Sequence, residues 1–256
     1  MVPCYNEASR FQPEPFLAFL ASEDPLAQRV NFLFVNDGST DGTLAVLEAF
    51  AAAADKLGQP GRVSILDKER NGGKGEAIRD GMLAALGPSA PDYQPACEYI
   101  GFWDADLATP LSAIPQFLAV IEGRPNLQMI FGSRIRLLGR TIQRNPARHY
   151  LGRIFATAAS RTLSLPIYDT QCGAKLFKAS PDLAAVLAAP FISRWIFDVE
   201  LVARYIQRRG RDFCYRSIYE FPLDSWEDVA GSKVGPLDFF YAAFDIFRIH
   251  RRYLAK

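Results

Sequence analysis

Three short apolar runs, Asn31 to Val35, Val63 to Leu66 and Glu98 to Trp103, each run into a polar loop and are separated by stretches of helical spacing. Leu44, Leu47, Ala51 and Ala54 repeat at that spacing after the first run, and Ile78, Met82 and Leu86 after the second. A chain that alternates in this way has few folds open to it. Right-handed strand–helix–strand crossovers give an α/β architecture with a mostly parallel sheet flanked by helices. Asp41 is the expected N-cap of the first of these helices, and Gly87-Pro88 the stop of the second. Met1-Val2-Pro3 leads directly into what reads as the end of a first strand, so a start upstream of Met1 is expected.

Beyond Pro110 the pattern predicts a helix over 111–121, a strand at Met129–Phe131 running into Gly132-Ser-Arg134, a helix over 151–163 and a strand at Lys175–Phe177. A helix from Trp195 to Arg208 and a strand from Phe213 to Phe221 follow. Residues 135–150 carry Arg136, Arg140, Arg144 and Arg148 together with Gly139 and Pro146, and read as a basic loop over the site. From Leu237 to Leu254, Phe239, Phe240, Phe244 and Phe247 mix with Arg248, His250, Arg251 and Arg252. Two readings of that amphipathic helix stay open: it packs on the core with a basic end that complements its dipole, or it lies on an anionic membrane surface.

With 256 residues, 49% of them hydrophobic, the chain has enough apolar material for one sizeable core. The expected organisation is a single unit, with a domain over 1–235 and the helix of 236–256 as part of it. A net charge of +1 exerts no general pull toward nucleic acid, so any anion recognition is local. Cys4, Cys97, Cys172 and Cys214 form no C-x-x-C pair and join no histidine cluster, which argues against structural zinc and fits reduced thiols. No apolar run approaches the roughly 20 residues of a membrane span. A cytoplasmic protein, soluble or peripheral at the cytoplasmic face of a membrane, is expected.

Asp104-Ala105-Asp106 ends the third run. Side chains alternate along an extended backbone, so the two carboxylates point to one side and form a candidate site for Mg²⁺ or Mn²⁺. Ligands of open α/β sheets collect at the carboxyl ends of the strands, where three further loops would stand. These are Pro3-Cys-Tyr-Asn-Glu7, Asn36-Asp-Gly-Ser-Thr-Asp-Gly-Thr43 and Asn71-Gly-Gly-Lys-Gly75. Asp37 suits a base or ribose, or equally a turn. Gly38 allows close backbone approach, and Lys74 at a helix start suits a phosphate. Neither a P-loop nor a dinucleotide fingerprint is present.

These loops resemble the family 2 glycosyltransferases of the GT-A (Rossmann-like) fold over nearly the whole chain. The narrower segments Asp104-Ala-Asp-Leu-Ala-Thr-Pro110, Asp169-Thr-Gln-Cys-Gly-Ala-Lys175, Arg194-Trp-Ile-Phe-Asp-Val-Glu-Leu201 and Gly231-Ser-Lys233 are similar to its dolichyl-phosphate β-glucosyltransferase and polyprenyl-phosphate branch. The resemblance implies that Pro3, Tyr5, Asn6, Glu7, Asp37, Gly38, Lys74, Asp104 and Ala105 surround the nucleotide, with Asp104 and Asp106 as metal ligands. Gln171, Cys172, Gly173, Lys175, Arg194 and Lys233 would line the sugar and acceptor side. It also implies inversion at the anomeric carbon.

A lipid monophosphate acceptor is already anionic and attacks without a base, so cations near the reaction centre are expected. Arg134, Arg144, Arg148, Arg194 and Lys233 are the candidates, with Asp198 and Glu200 as fallback bases. The function expected is transfer of a hexose, glucose from UDP-glucose first, to a polyprenyl phosphate. The alternatives are GDP-mannose or another donor, and a carbohydrate hydroxyl acceptor.

Overall fold

The computed structural model describes residues 1–58, 60–87, 97–143, 146–229 and 236–255. Its first half is built from β1 (Val2–Cys4), α1 (Pro13–Leu20), α2 (Pro25–Gln28), β2 (Phe32–Asn36), α3 (Thr43–Asp55), β3 (Val63–Asp67), α4 (Lys74–Leu86) and β4 (Tyr99–Trp103). β1, β2 and β3 pair in parallel, with Val2 opposite Phe34 and Phe34 opposite Ile65. Met1 N donates to Gly101 O at 2.6 Å and Trp103 N to Met1 O at 3.0 Å, which sets β4 beside β1 in a parallel bonding pattern.

The second half runs α5 (Ala113–Glu122), β5 (Met129–Ser133), β6 (Thr141–Gln143), α6 (Pro146–Leu163), β7 (Ala174–Lys178), α7 (Pro181–Leu187), α8 (Phe197–Arg209), α9 (Arg211–Ser217), β8 (Ile218–Pro222), β9 (Ser225–Glu227) and α10 (Pro236–Ile249), closed by a wide turn of π-helix at His250–Leu254. β7 inserts antiparallel between β4 and β5, and β8 lies parallel on the far side of β5. The strand order is therefore β3-β2-β1-β4-β7-β5-β8, parallel except for β7. β6 and β9 form a separate short parallel pair.

Period-two alternation divides the core between the two faces of this sheet. Phe34, Trp103 and Ile130 turn toward α1, α3 and α5, while Phe102, Met129 and Phe131 turn toward α4, α6 and α8. Phe34 is wholly buried among Phe11, Phe16 and Phe50, with ring centroids 5.2–5.6 Å away. Truncating such a ring costs roughly 3–5 kcal/mol.

Three expectations are corrected. The segment expected as a strand from Phe213 is helix α9 up to Ser217, because Cys214 and Ser217 are buried at helical spacing and Ser217 Oγ donates to Phe213 O. The expected basic loop of 135–150 is only partly loop. Thr141–Gln143 pairs with Ser225–Glu227, and α6 begins at Pro146, whose fixed φ suits a first helical residue. Asp41 is not the N-cap of α3: Gly42 holds that place, and the Asp41 carboxylate accepts from Thr43 N at 3.0 Å and Ala8 N at 3.2 Å.

Candidate active site

The rim at the carboxyl ends of β1, β2, β3 and β4 collects the loops singled out in the sequence. Antiparallel β7 adds the residues before it, since its amino end reaches the same rim. Asn6, at φ +52, ties the first loop to the second: Thr40 N donates to its Oδ1 at 2.9 Å, and its own N donates to Ser39 Oγ at 3.0 Å. Pro3 lies within β1 opposite Val35, and Tyr5 and Glu7 stand half-buried beyond it.

Asp37 is buried and already engaged. Its Oδ1 accepts from Lys68 Nζ at 2.7 Å and Gly72 N at 3.0 Å, and its Oδ2 from Gly73 N at 2.8 Å. It clamps the Asn71–Gly75 loop and thereby seats Lys74 at the start of α4. Gly38, at φ +62, lies against the backbone of Arg70 and Asn71, where a Cβ would collide with main-chain atoms.

Lys74 Nζ reaches Asp104 Oδ1 at 2.6 Å. Desolvation works against the ammonium, but Asp104, Asp198 and Asp106 outweigh it and raise its pKa above the ordinary lysine value. Asp104 N donates to Gly173 O at 3.0 Å. A Cβ on Gly173 would fall inside the Asp104 carboxylate, so only glycine leaves that carboxylate its place. Asp106, exposed beyond the half-buried Ala105, accepts from Ala108 N at 3.1 Å. Desolvation and then the charge of Asp104 push its pKa up.

A cleft of 360 Å³ opens here, bounded by Lys74, Asp104, Asp106, Arg134, Arg153 and Arg194 on its polar side and by Phe155, Trp195 and Ala242 on its apolar side. Thr170 Oγ1 and Gln171 Nε2, both of this cleft, are buried with no hydrogen-bond partner among the described residues. Asp104 Oδ1 and Asp198 Oδ1 are met by ammoniums, at 2.6 Å from Lys74 and 2.7 Å from Lys175. Buried polar groups are normally paired, so the two orphans mark a site shaped for a polar ligand. A divalent cation fits the two aspartates: Asp104 Oδ1 is already met by one cation, the Lys74 ammonium, and Gly173 leaves the space beside the carboxylate open. No cluster of three His, Cys, Asp or Glu exists among the described residues, so such an ion would draw its other ligands from phosphate and water.

Arg134 is half-buried and bidentate to Asp169, at 2.7 Å through Nε and 2.8 Å through Nη2, and it stacks over Trp226 at 5.2 Å. Burial opposes its charge, but Asp169 holds the guanidinium protonated more firmly than usual. Arg194 spans to the third loop, donating to Gly72 O at 3.2 Å and Asn71 Oδ1 at 3.0 Å.

Other expected lining residues sit elsewhere. Cys172 is buried against Thr109, and Lys175 lies beneath the floor. Its Nζ donates to Cys172 O at 2.6 Å, stands 2.7 Å from Asp198 Oδ1, and lies between the rings of Phe102 and Phe131. Neither residue reaches the open cleft. Glu200 is a structural carboxylate, accepting from Ile192 N, Arg204 and the Tyr253 hydroxyl. Asp198 does line the cleft, and desolvation raises its pKa against the pull of Lys175. Arg144, Lys233 and the side chain of Arg148 lie outside the described residues.

Arg153 and Thr170 were not anticipated. Arg153 donates to Tyr168 O at 3.0 Å and stacks over the Tyr168 ring at 3.8 Å, facing the cleft from α6. The only signal for it in the sequence is its place shortly after the run of arginines at 136–148.

A parallel sheet with an Asp-x-Asp rim, a lysine at a helix start and a cationic cleft is the arrangement of a glycosyltransferase. The chain belongs to glycosyl transferase family 2, whose model matches residues 1–183. It is 31% identical to the human dolichyl-phosphate beta-glucosyltransferase, covering 99% of this chain and 75% of that one. It is 30% identical to the Saccharomyces cerevisiae enzyme of the same name, covering 99% and 74%. Solved structures share the GT-A fold at low identity. Glucosyl-3-phosphoglycerate synthase from Mycobacterium tuberculosis, in complex with Mn²⁺, UDP-glucose and phosphoglyceric acid, has a TM-score of 0.59 at 17% identity, covering 98% of this chain and 78% of that one. A mannosyltransferase from Pyrobaculum calidifontis with GDP-Man and Mn²⁺ also has 0.59, at 19% identity, covering 97% and 61%.

Proposed function

We propose that this glycosyltransferase moves glucose from UDP-glucose to a polyprenyl phosphate such as dolichyl phosphate, with inversion. The observation that carries the reading is the cleft itself, in which Lys74, Arg134, Arg153 and Arg194 surround a pair of aspartates. The neighbouring carboxylates are committed: Asp169 to Arg134, Asp198 to Lys175 and Glu200 to Arg204. That arrangement suits an acceptor needing cations rather than a base. The names of the relatives support the acceptor and the sugar, and the ligands of the solved structures support a sugar nucleotide with a divalent ion.

In the reaction, a phosphate oxygen of the acceptor attacks the anomeric carbon as the bond from that carbon to the diphosphate breaks. UDP leaves with the electron pair. Both sides of the exchange are anionic, so no proton has to move. Asp104 and Asp106 would hold Mg²⁺ or Mn²⁺, which supplies electrostatic stabilisation of the leaving diphosphate. Lys74 reinforces that charge, while Arg134, Arg153 and Arg194 orient the acceptor.

The segment from Pro236 works as part of the same unit, a reading supported by burial of Ala242, Ile249 and Leu254 and by the Tyr253 hydroxyl donating to Glu200 at 3.0 Å. No helix among the described residues is long and apolar enough to cross a membrane. Action at the cytoplasmic face of a membrane, where a lipid acceptor meets a soluble donor, completes the proposal.

The test is transfer from labelled UDP-glucose or GDP-mannose to polyprenyl phosphate with Mg²⁺ or Mn²⁺. Product from UDP-glucose alone, lost on Asp104→Ala, is expected. Transfer only from GDP-mannose, or only to a sugar hydroxyl, would overturn the donor or the acceptor assignment respectively.

A further inference from the structure

The turn of residues 168–173, just before β7, carries much of the cleft. The carbonyl and ring of Tyr168 hold Arg153, the Asp169 carboxylate forks Arg134, and the orphaned atoms of Thr170 and Gln171 follow. At its far end Gly173 O accepts from Asp104 N. A shift of this turn therefore moves the cations of the site, and misplacement on the scale of about 1 Å is enough to impair a reaction.

Two side chains of opposite charge grip the turn from beneath the floor. Cross-strand pairing sets Phe102, Lys175, Phe131 and Glu220 in one row across β4, β7, β5 and β8, on one face of the sheet. At the start of the turn, Glu220 Oε1 accepts from Asp169 N at 2.7 Å and Glu220 Oε2 from Tyr168 N at 2.8 Å. Near its end, Lys175 Nζ donates to Cys172 O at 2.6 Å. The carboxylate takes N–H groups and the ammonium takes a carbonyl, as their chemistry requires. Glu220 is half-buried and does not line the cleft, and among the described residues its hydrogen bonds go to those two backbone groups alone.

We propose that Glu220 is a positioning residue for the acceptor: through the backbone of Tyr168 and Asp169 it holds the guanidiniums of Arg153 and Arg134 where one acceptor phosphate meets both. The inference rests on the acceptor role given to those arginines above. Lys175 grips the opposite end, next to Gly173 and Asp104, so the two ends of the turn answer to different residues. Glu220 governs the acceptor and not the nucleotide.

Steady-state kinetics with farnesyl phosphate as acceptor, calorimetric titration of UDP and urea denaturation of the same preparations test this. Glu220→Met, close in length but without an acceptor atom, is expected to raise the acceptor KM at least about tenfold and to leave UDP affinity within about a factor of two. Glu220→Gln keeps one oxygen for the N–H groups and should recover part of the KM. In Glu220→Met/Arg153→Ala the KM should fall at least about threefold short of the product of the single effects, since part of the Glu220 effect runs through Arg153. An unchanged acceptor KM in Glu220→Met overturns the proposal even where the urea midpoint falls, because the carboxylate then supports the fold alone. So do single effects that multiply in full, or a loss of UDP affinity equal to the rise in KM. If Glu220→Met does not fold, Glu220→Gln carries the test: a rise of at least about threefold supports the proposal and an unchanged KM overturns it. If the wild type transfers only to a carbohydrate hydroxyl, the acceptor assignment fails by itself, and Glu220 is judged by the same KM comparison on that acceptor.

Discussion

Lys74 Nζ stands 2.6 Å from Asp104 Oδ1, so the ammonium holds a carboxylate that, in the proposed function, would bind a divalent ion. The pair is partly exposed and contributes at most about 1 kcal/mol to the fold. Its consequence for the proposed function is that a divalent ion and the Lys74 ammonium would compete for one carboxylate. Lys74→Met is expected to bind Mn²⁺ alone more tightly and UDP at least about tenfold more weakly, since a charge-assisted hydrogen bond of roughly 1.5–3 kcal/mol is lost. Calorimetric titrations of each ligand separate the two effects. A parallel loss of both affinities would contradict the competition.

Gly173 is a geometric requirement of the same carboxylate. Gly173→Ala places a methyl group where Asp104 stands and displaces that carboxylate by about 1 Å, a misplacement able to cost on the order of 100-fold in rate. The expected variant folds, with nearly unchanged far-UV circular dichroism, and transfers at least about 100-fold more slowly. Wild-type turnover in this variant would mean that Asp104 does not have to sit where the structure places it.

Asp169 is a buried carboxylate that neutralises the mostly buried Arg134. Asp169→Asn leaves Arg134 in place without its anion, and loss of one partner of a buried pair costs roughly 3–5 kcal/mol. Urea denaturation should show that loss. Arg134→Lys should recover little, because an ammonium cannot make the fork that spans both Asp169 oxygens. A midpoint for Asp169→Asn within error of wild type would refute the pairing.

Most of this site was legible because its parts are local. A strand, a polar loop and a helix start sit within a dozen residues, so Asp104, Asp106, Lys74 and Asp37 could all be placed on one rim from spacing. What Asp37 does there was not legible. Its partners Lys68, Gly72 and Gly73 lie more than thirty positions away, and no periodicity reports a hydrogen bond. Lys175 was misplaced for a related reason: its burial depends on β7 running antiparallel between β4 and β5, and an apolar strand carries no sign of its direction. At α9, Phe213 and Tyr215 mimic strand alternation, while burial of Cys214 and Ser217 on the tertiary core decides for helix.

Asp182 supplies a pH-dependent clasp between α7 and α8, accepting from Arg208 at 2.6 Å and from Arg209. Burial alone would raise its pKa, but the two guanidiniums prevail and the carboxyl titrates below its ordinary value near 3.8. A depressed carboxylate stabilises the fold above its unfolded-state pKa, and the contribution disappears as pH falls through the lower folded value. Allowing for the exposure of both arginines, Asp182→Asn should cost about 0.5–1 kcal/mol at pH 7 and almost nothing once the pH lies below the folded value. Urea midpoints of wild type and variant should therefore converge on acidification; an equal gap at both pH values would assign the cost to packing.

Arg153 lines the cleft from α6, its guanidinium held by Tyr168 through one backbone carbonyl and one ring. In the proposed function it serves the acceptor, since it stands away from the loops of β1, β2 and β3 assigned to the nucleotide. Arg153→Ala should therefore raise the KM for polyprenyl phosphate at least about tenfold, the scale of one lost charge-assisted contact, and leave UDP affinity within a factor of two. Arg153→Lys should restore part of the KM, since a point charge still attracts a phosphate but cannot stack on Tyr168. If UDP binding weakened together with the acceptor KM, Arg153 would belong to the donor side, and the assignment of the α6 wall to the acceptor would have to be withdrawn.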